Sequence, residues 1–225
     1  MPSWNIHTAH VERLLREGGG AEALGVRSAN EFLFGNFVPD IYVGYMVHRP
    51  TRTIDYKVTH FASGDKIPLP DYDKFWRDYI EGRGRVSDVV IGAWCHLVCD
   101  HVYNSQTRRY IASIGVVASD ETRIRKQHDF DLFGRTLDIS MRPEATSDLV
   151  RASVGYPQYA IEERDVRAAV AVAGRIVYQN QLDYITGVPA YDLLTEGFFS
   201  EAREKAHEVC LAGMRRYAAG IRSGC

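Results

Sequence analysis

Apolar side chains recur at helical spacing along most of this chain. Ile6, Val11, Leu14 and Leu15 form one stripe over about residues 5 to 16, and Gly18-Gly19-Gly20 ends it. Asn30 to Val38 is a short apolar segment closed by Pro39-Asp40. Pro70 precedes a helix predicted over 71–79, with Phe75, Trp76 and Tyr79 turned inward. Ser87 is an N-cap residue for a helix reaching about Asn104. Arg123 to Phe133 reads as helical, and two long helices are predicted near Glu163 to Asp183 and Tyr191 to Arg222. Strand-type alternation is scarce: Ile41 to Val47 is the best stretch and Ile111 to Val117 a weaker one. The expected fold is all-α, a multi-helix bundle forming a single domain over residues 1–225. Residues 1–135 carry the chemistry, and the amphipathic helices of 136–225 are expected to serve as scaffold or as an oligomer surface.

Composition narrows the picture. The chain has 225 residues, 45% hydrophobic and 25% charged, which is ordinary for a globular protein able to bury its own core. A formal net charge of −2 gives no basic excess for a phosphate backbone, so nucleic acid is not an expected partner. No apolar run approaches membrane-spanning length, and stable membrane association is not expected. The opening residues Met1-Pro2-Ser3-Trp4-Asn5 have neither a basic region nor an apolar export segment. Four cysteines are too few for a disulfide framework. A cytoplasmic, reduced protein is expected.

The helix through Val86 to Tyr103 is apolar on nearly every face, as a central buried helix is. Yet it holds His96 and Asp100 four residues apart, on one face. A buried carboxylate needs a partner, so the pair is either a satisfied polar plug or a set of inward metal ligands. Three more metal-capable side chains sit in apolar surroundings: His7 on the core side of the first helix, Asp40 after the run Phe32 to Pro39, and His60 before Phe61. Each alone reads as a core polar group; together they make a mixed nitrogen and oxygen set suited to zinc or a similar divalent ion. Cys95 and Cys99 lack C-x-x-C spacing and read as buried small hydrophobes. Asn104 to Arg109, with Arg123, Arg125 and Lys126, is the basic cluster nearest these residues, either a solvated helix end or a phosphate receptor.

The order of these motifs resembles the bacterial zinc-dependent phospholipase C family and the related single-strand-specific zinc nucleases. The matching segments are Trp4-Asn5-Ile6-His7, Phe34-Gly35-Asn36-Phe37-Val38-Pro39-Asp40, Thr59-His60-Phe61 and Gly92 to Asp100, all within residues 1 to 135. The resemblance implies an all-α fold with metal ligands at His7, Asp40, His60, His96 and Asp100. A further histidine and acidic residue of the family would fall on His128 and Asp131. Trp4 is internal here, and Gln106 stands where the family has a further histidine, so one or two zinc ions are expected rather than three. The implied activity is metal-dependent hydrolysis of a phosphoester, most simply a small phosphodiester, with Asp40 as the catalytic carboxylate. The competing expectation is a non-catalytic helical protein whose polar or metal core is structural and whose function is binding. No G-x-S-x-G or Walker loop is present. His128-Asp129 is the one His-Asp doublet that an HD-type phosphohydrolase would need.

Overall fold

The computed structural model describes residues 2–64 and 66–223. Among the described residues the regular structure is ten α-helices and one short 3-10 helix (Glu22–Leu24): α1 (Trp4–Glu17), α2 (Ala29–Gly35), α3 (Val38–Ile41), α4 (Tyr56–Thr59), α5 (Tyr72–Tyr79), α6 (Asp88–Ser113), α7 (Asp120–Arg135), α8 (Ser147–Val154), α9 (Glu163–Leu182) and α10 (Glu196–Ser223). The fold is all-α. Neither stretch of strand-type alternation is a strand. Tyr42 to Val47 lies in turns that reverse at Gly44, and Ile111 belongs to the last turn of α6. Among the described residues, strand-like pairing is limited to one isolated bridge between Ser63 and Leu69. No helix of the described residues is long and apolar enough to cross a membrane.

Ser87, the N-cap read from sequence, precedes α6 but makes no side-chain cap bond, whereas side-chain caps mark five other starts. Ser28, Asp55, Asp71, Ser119 and Thr146 each accept a backbone N–H of the first turn of α2, α4, α5, α7 and α8. The central helix α6 runs nine residues past the expected end at Asn104, because Thr107 and Ile111 keep its inner face buried. α10 begins at Glu196, after a 191–195 loop that is tied down from outside the helix. The Asp129 carboxylate takes the N–H groups of Asp192, Leu193 and Leu194 at 2.7–2.8 Å. Asp129 is therefore a structural latch, and its neighbour His128 is exposed, so the doublet forms no joint site.

One apolar core runs through the molecule from Trp4 to Tyr217, with α6 along its axis and α2, α3, α5 and α10 packed around it. The α2–α6 crossing is unusually close. A Cβ on Gly92 would sit 2.2 Å from the Phe32 carbonyl oxygen, and one on Gly35 would sit 2.3 Å from that of Val89. Side chains cannot separate these helices, so the backbone of Asn36, just past α2, lies directly against His96.

Candidate metal centre

Four elements deliver the five buried donors. α1 supplies His7, on the face that also buries Trp4, Ile6, Val11 and Leu14. α3 supplies Asp40, where Pro39 fixes the first turn. His60 caps α4, and the chain then turns sharply at Phe61, a non-glycine residue with φ 52°. α6 supplies His96 and Asp100 one turn apart. His7, His60, His96 and Asp100 are wholly buried, and Asp40 keeps 6% exposure.

Their donor atoms converge. His60 Nε2 lies 3.1 Å from His96 Nε2. Asp40 Oδ1 is 3.6 Å from His60 Nε2 and 3.9 Å from His96 Nε2. Asp100 Oδ2 is 3.6 Å and 3.7 Å from the same two nitrogens. The other oxygen of Asp100 lies 3.4 Å from His7 Nε2, and the His7 ring stacks on His96 at 4.1 Å. Two overlapping triads, His7/His96/Asp100 and Asp40/His60/His96, can each hold a metal ion.

The surrounding bonds decide which way each donor points. His96 Nδ1 is 2.9 Å from the Asn36 carbonyl oxygen. A carbonyl only accepts, so Nδ1 carries the proton and Nε2 presents its lone pair. Thr59 Oγ1 lies 3.3 Å from the Tyr56 carbonyl oxygen and 2.7 Å from His60 Nδ1; with its proton on that carbonyl it accepts the Nδ1–H of His60. His60 Nε2 is likewise a lone pair. Trp4 Nε1–H donates to Asp40 Oδ2 at 3.0 Å, leaving Oδ1 toward the histidines. The Tyr56 hydroxyl donates to Asp100 Oδ2 at 3.1 Å while its ring stacks on His60 at 3.8 Å. Second-shell bonds of this kind fix tautomer and orientation around metals.

The electrostatics follow from burial and crowding. Burial pushes His96 down, and burial with the neighbouring His96 pushes His60 well down, so both imidazoles are neutral at pH 7. Burial and the charge of Asp100 push Asp40 up to about 7. Burial opposes ionisation of Asp100, but His96, His7 and His60 outweigh it and hold its carboxyl below the ordinary range. Burial and His96 pull His7 down, yet Asp100 and Cys99 raise it on balance. Both ring nitrogens of His7 and Oδ1 of Asp100 are buried without a hydrogen-bond partner. Orphaned buried donors of this kind fit a bound cation.

His7, Asp40, His60, His96 and Asp100 are thus brought together, whereas His128 and Asp131 are not. Both lie exposed on α7, and Asp131 pairs with Arg135. The helix phase is the reason: Thr122, Lys126, Asp129, Phe130 and Phe133 form the buried stripe of α7, and positions 128 and 131 fall off it. His10 also stays out, engaging Tyr103 Oη at 3.2 Å. The basic cluster disperses. Arg123 faces Asp120, Arg125 holds Asp192, and Arg108 donates to the Ile67 carbonyl. Trp4, Asn36, Tyr56 and Thr59 act on the donors without belonging to a ligand pattern. For Thr59 the available signal is adjacency to His60. For Asn36 and Tyr56 there is none in the sequence, because their roles depend on tertiary contacts. Comparison with protein families, curated proteins and solved structures gives no match to this chain.

Proposed function

We propose that the cluster binds a divalent transition metal, zinc by its donor chemistry, and that the protein hydrolyses a small phosphoester there. The observation that carries the metal is the pair of lone pairs aimed at each other from His60 and His96 across 3.1 Å, flanked by two carboxylate oxygens. With both Nδ1 atoms protonated, that contact is repulsive without a cation. Zinc with bonds of about 2.1 Å holds tetrahedral donors about 3.4 Å apart. Five of the six separations among Asp40 Oδ1, His60 Nε2, His96 Nε2 and Asp100 Oδ2 fall at 3.1–3.9 Å. Four donors so placed favour one ion; His7 and the second oxygen of Asp100 alone offer too little for another.

When bound, such an ion supplies Lewis acidity, polarising a phosphoryl oxygen and making water acidic near neutral pH. The chain supplies the rest. Asp40 is the donor that keeps solvent contact and the carboxylate whose affinity for a proton is matched to neutral pH. Where the ion does not hold Oδ1, that oxygen can accept a proton from water while Trp4 fixes Oδ2. His60 and His96 stay neutral, held by Thr59 and Asn36, and the buried walls exclude bulk water.

A second reading has its own support. Four protein donors already complete a tetrahedron, and the histidines have no solvent contact, as in closed structural sites. The test is metal content of protein purified without a polyhistidine tag, followed by hydrolysis of bis(p-nitrophenyl) phosphate by the metal-loaded protein. About one equivalent of zinc with turnover supports the hydrolase. One equivalent without turnover on this or other phosphoesters leaves the structural role, and no metal sinks both.

A further inference from the structure

Two of the four elements that carry donors are long helices, and two are single turns. α1 and α6 run for 14 and 26 residues and hold their own geometry. α3 and α4 have four residues each, too few to persist without bonds from outside. Trp4 bonds Asp40, and Asp55 caps α4. The other ties come from the segment between α8 and α9. The Gln158 side-chain amide donates to the Val58 carbonyl at 2.6 Å, two residues before His60. The Tyr159 hydroxyl donates to the Val38 carbonyl at 3.3 Å, two residues before Asp40. Consecutive residues of one strap thus grip the two short elements that carry Asp40 and His60.

The strap is firm at its ends and lightly held at its tip. Ile161 is wholly buried, and its N–H closes the loop onto the Ser153 carbonyl at 3.2 Å. The next N–H, of Glu162, meets the Tyr42 hydroxyl at 3.0 Å. Among the described residues, 157–160 make no backbone-to-backbone hydrogen bond, so side chains fasten them. Besides Gln158 and Tyr159, the Arg52 guanidinium holds the Ala160 carbonyl, and the Tyr159 ring meets Tyr42 and Tyr156 edge-on. Tyr156 Oη and Gln158 Oε1 are buried without a hydrogen-bond partner, and hydration on opening would satisfy both. Few backbone bonds and unpaired polar groups mark a segment that opens locally, at less cost than global unfolding.

We infer that the 155–160 strap is the clasp of the metal centre. Closed, it holds Asp40 and His60 against His96 and Asp100; its release lets the ion enter and leave. The inference rests on the metal reading above and is independent of hydrolysis. His96 and Asp100 stay on α6 throughout, so opening parts a fixed half of the donor set from a movable half. Gln158 and Tyr159 are positioning residues, outside the donor set and acting on it through the backbone of α3 and α4. Their loss changes how fast the ion is exchanged while every donor side chain remains.

The experiment loads the full chain with zinc and follows its release to a chromogenic chelator, in enough excess that the rate no longer depends on the chelator. Gln158→Ala and Tyr159→Phe should each release zinc about five-fold faster than wild type, and the double variant about twenty-fold faster. All three should keep their helicity by circular dichroism. Gln181→Ala removes a comparable bond elsewhere, from α9 to the Ile139 carbonyl, and should release zinc at the wild-type rate. A double variant that releases zinc as wild type does would overturn the clasp, as would equal acceleration by Gln181→Ala. Amide hydrogen exchange of the metal-free proteins supplies a second readout, which also serves if the double variant does not load. Amides of α3 and α4 should exchange faster in the double variant while those of α1 and α6 keep the wild-type rate. Unchanged rates at α3 and α4 would overturn the clasp without touching the metal reading. A wild type that takes up no zinc would sink the metal reading, and with it the role of the strap in ion exchange.

Discussion

His96 belongs to both triads, so its removal is the most demanding perturbation of the centre. If metal binds only the folded state, free metal at a thousand times Kd adds about 4.1 kcal/mol of stability. For a chain of this length about 1 kcal/mol moves Tm by about 2–4 °C. Chelator-treated wild type should therefore gain about 8–16 °C on adding zinc at that concentration. Small structural zinc sites derive about 10–16 kcal/mol from four ligands. One ligand is then worth about 2.5–4 kcal/mol, or about two to three decades in Kd. In His96→Ala the same zinc concentration corresponds to about 1–10 times Kd, which adds only about 0.4–1.4 kcal/mol. The rise in Tm should shrink to about 5 °C or less.

The metal-free baseline of His96→Ala will also fall, because a buried ring is lost and the Asn36 carbonyl is left unpaired. The informative quantity is therefore the zinc-induced difference, followed by differential scanning calorimetry at fixed free metal. A variant that kept the full wild-type increment would show that His96 Nε2 does not face a cation, and the reasoning from the opposed lone pairs would fail.

Three further changes probe the supports of the site. In chelator-treated protein, Asp40 has a folded pKa near 7, above its ordinary value of about 3.9. Its stabilising contribution is thus present below pH 4 and lost as pH rises through 7. Asp40→Asn should be more stable than wild type at pH 8, by up to about 4 kcal/mol, with the gap closing by pH 4 in urea titrations; saturating zinc should reverse the order. Thr59→Val removes the acceptor for His60 Nδ1–H and should weaken zinc binding about 10–100-fold in a competition assay with little change in helicity. Gly92→Ala forces α2 off α6, since its methyl meets backbone at 2.2 Å. It should cost at least about 3 kcal/mol in denaturant unfolding and, by moving the Asn36 carbonyl, weaken zinc binding as well.

The five converging donors were legible because each is a polar residue inside an apolar stretch, and helix phase alone places His96 above Asp100. Most of their bond directions were not legible, since Trp4, Tyr56 and Asn36 act on residues 36 to 60 positions away. α7 shows how a resemblance can override a pattern already in the sequence. Phe130 and Phe133 mark the inner face, which also passes through Lys126 and Asp129; His128 and Asp131 lie off it. The segments read as strands failed for a related reason. Tyr42 and Val47 are buried by contacts made from turns, so alternation there reflects tertiary packing rather than a pleat.

A satisfied polar plug would show each buried donor matched by an acceptor. Here the matched groups lie on the outside of the cluster, at His96 Nδ1, His60 Nδ1, Asp40 Oδ2 and the Tyr56 hydroxyl. The inner surface shows the opposite, with two imidazole nitrogens facing each other, two carboxylates in one another's field, and His7 meeting Asp100 at 3.4 Å without a well-formed hydrogen bond. Repulsion directed inward and bonding directed outward is the arrangement expected of a shell that binds a cation. A proton shared between the histidines could relieve one of these contacts, but burial disfavours it at both rings. A divalent ion would relieve the opposed nitrogens and the carboxylates together, which is what favours the proposed metal over the polar pair at these four donors.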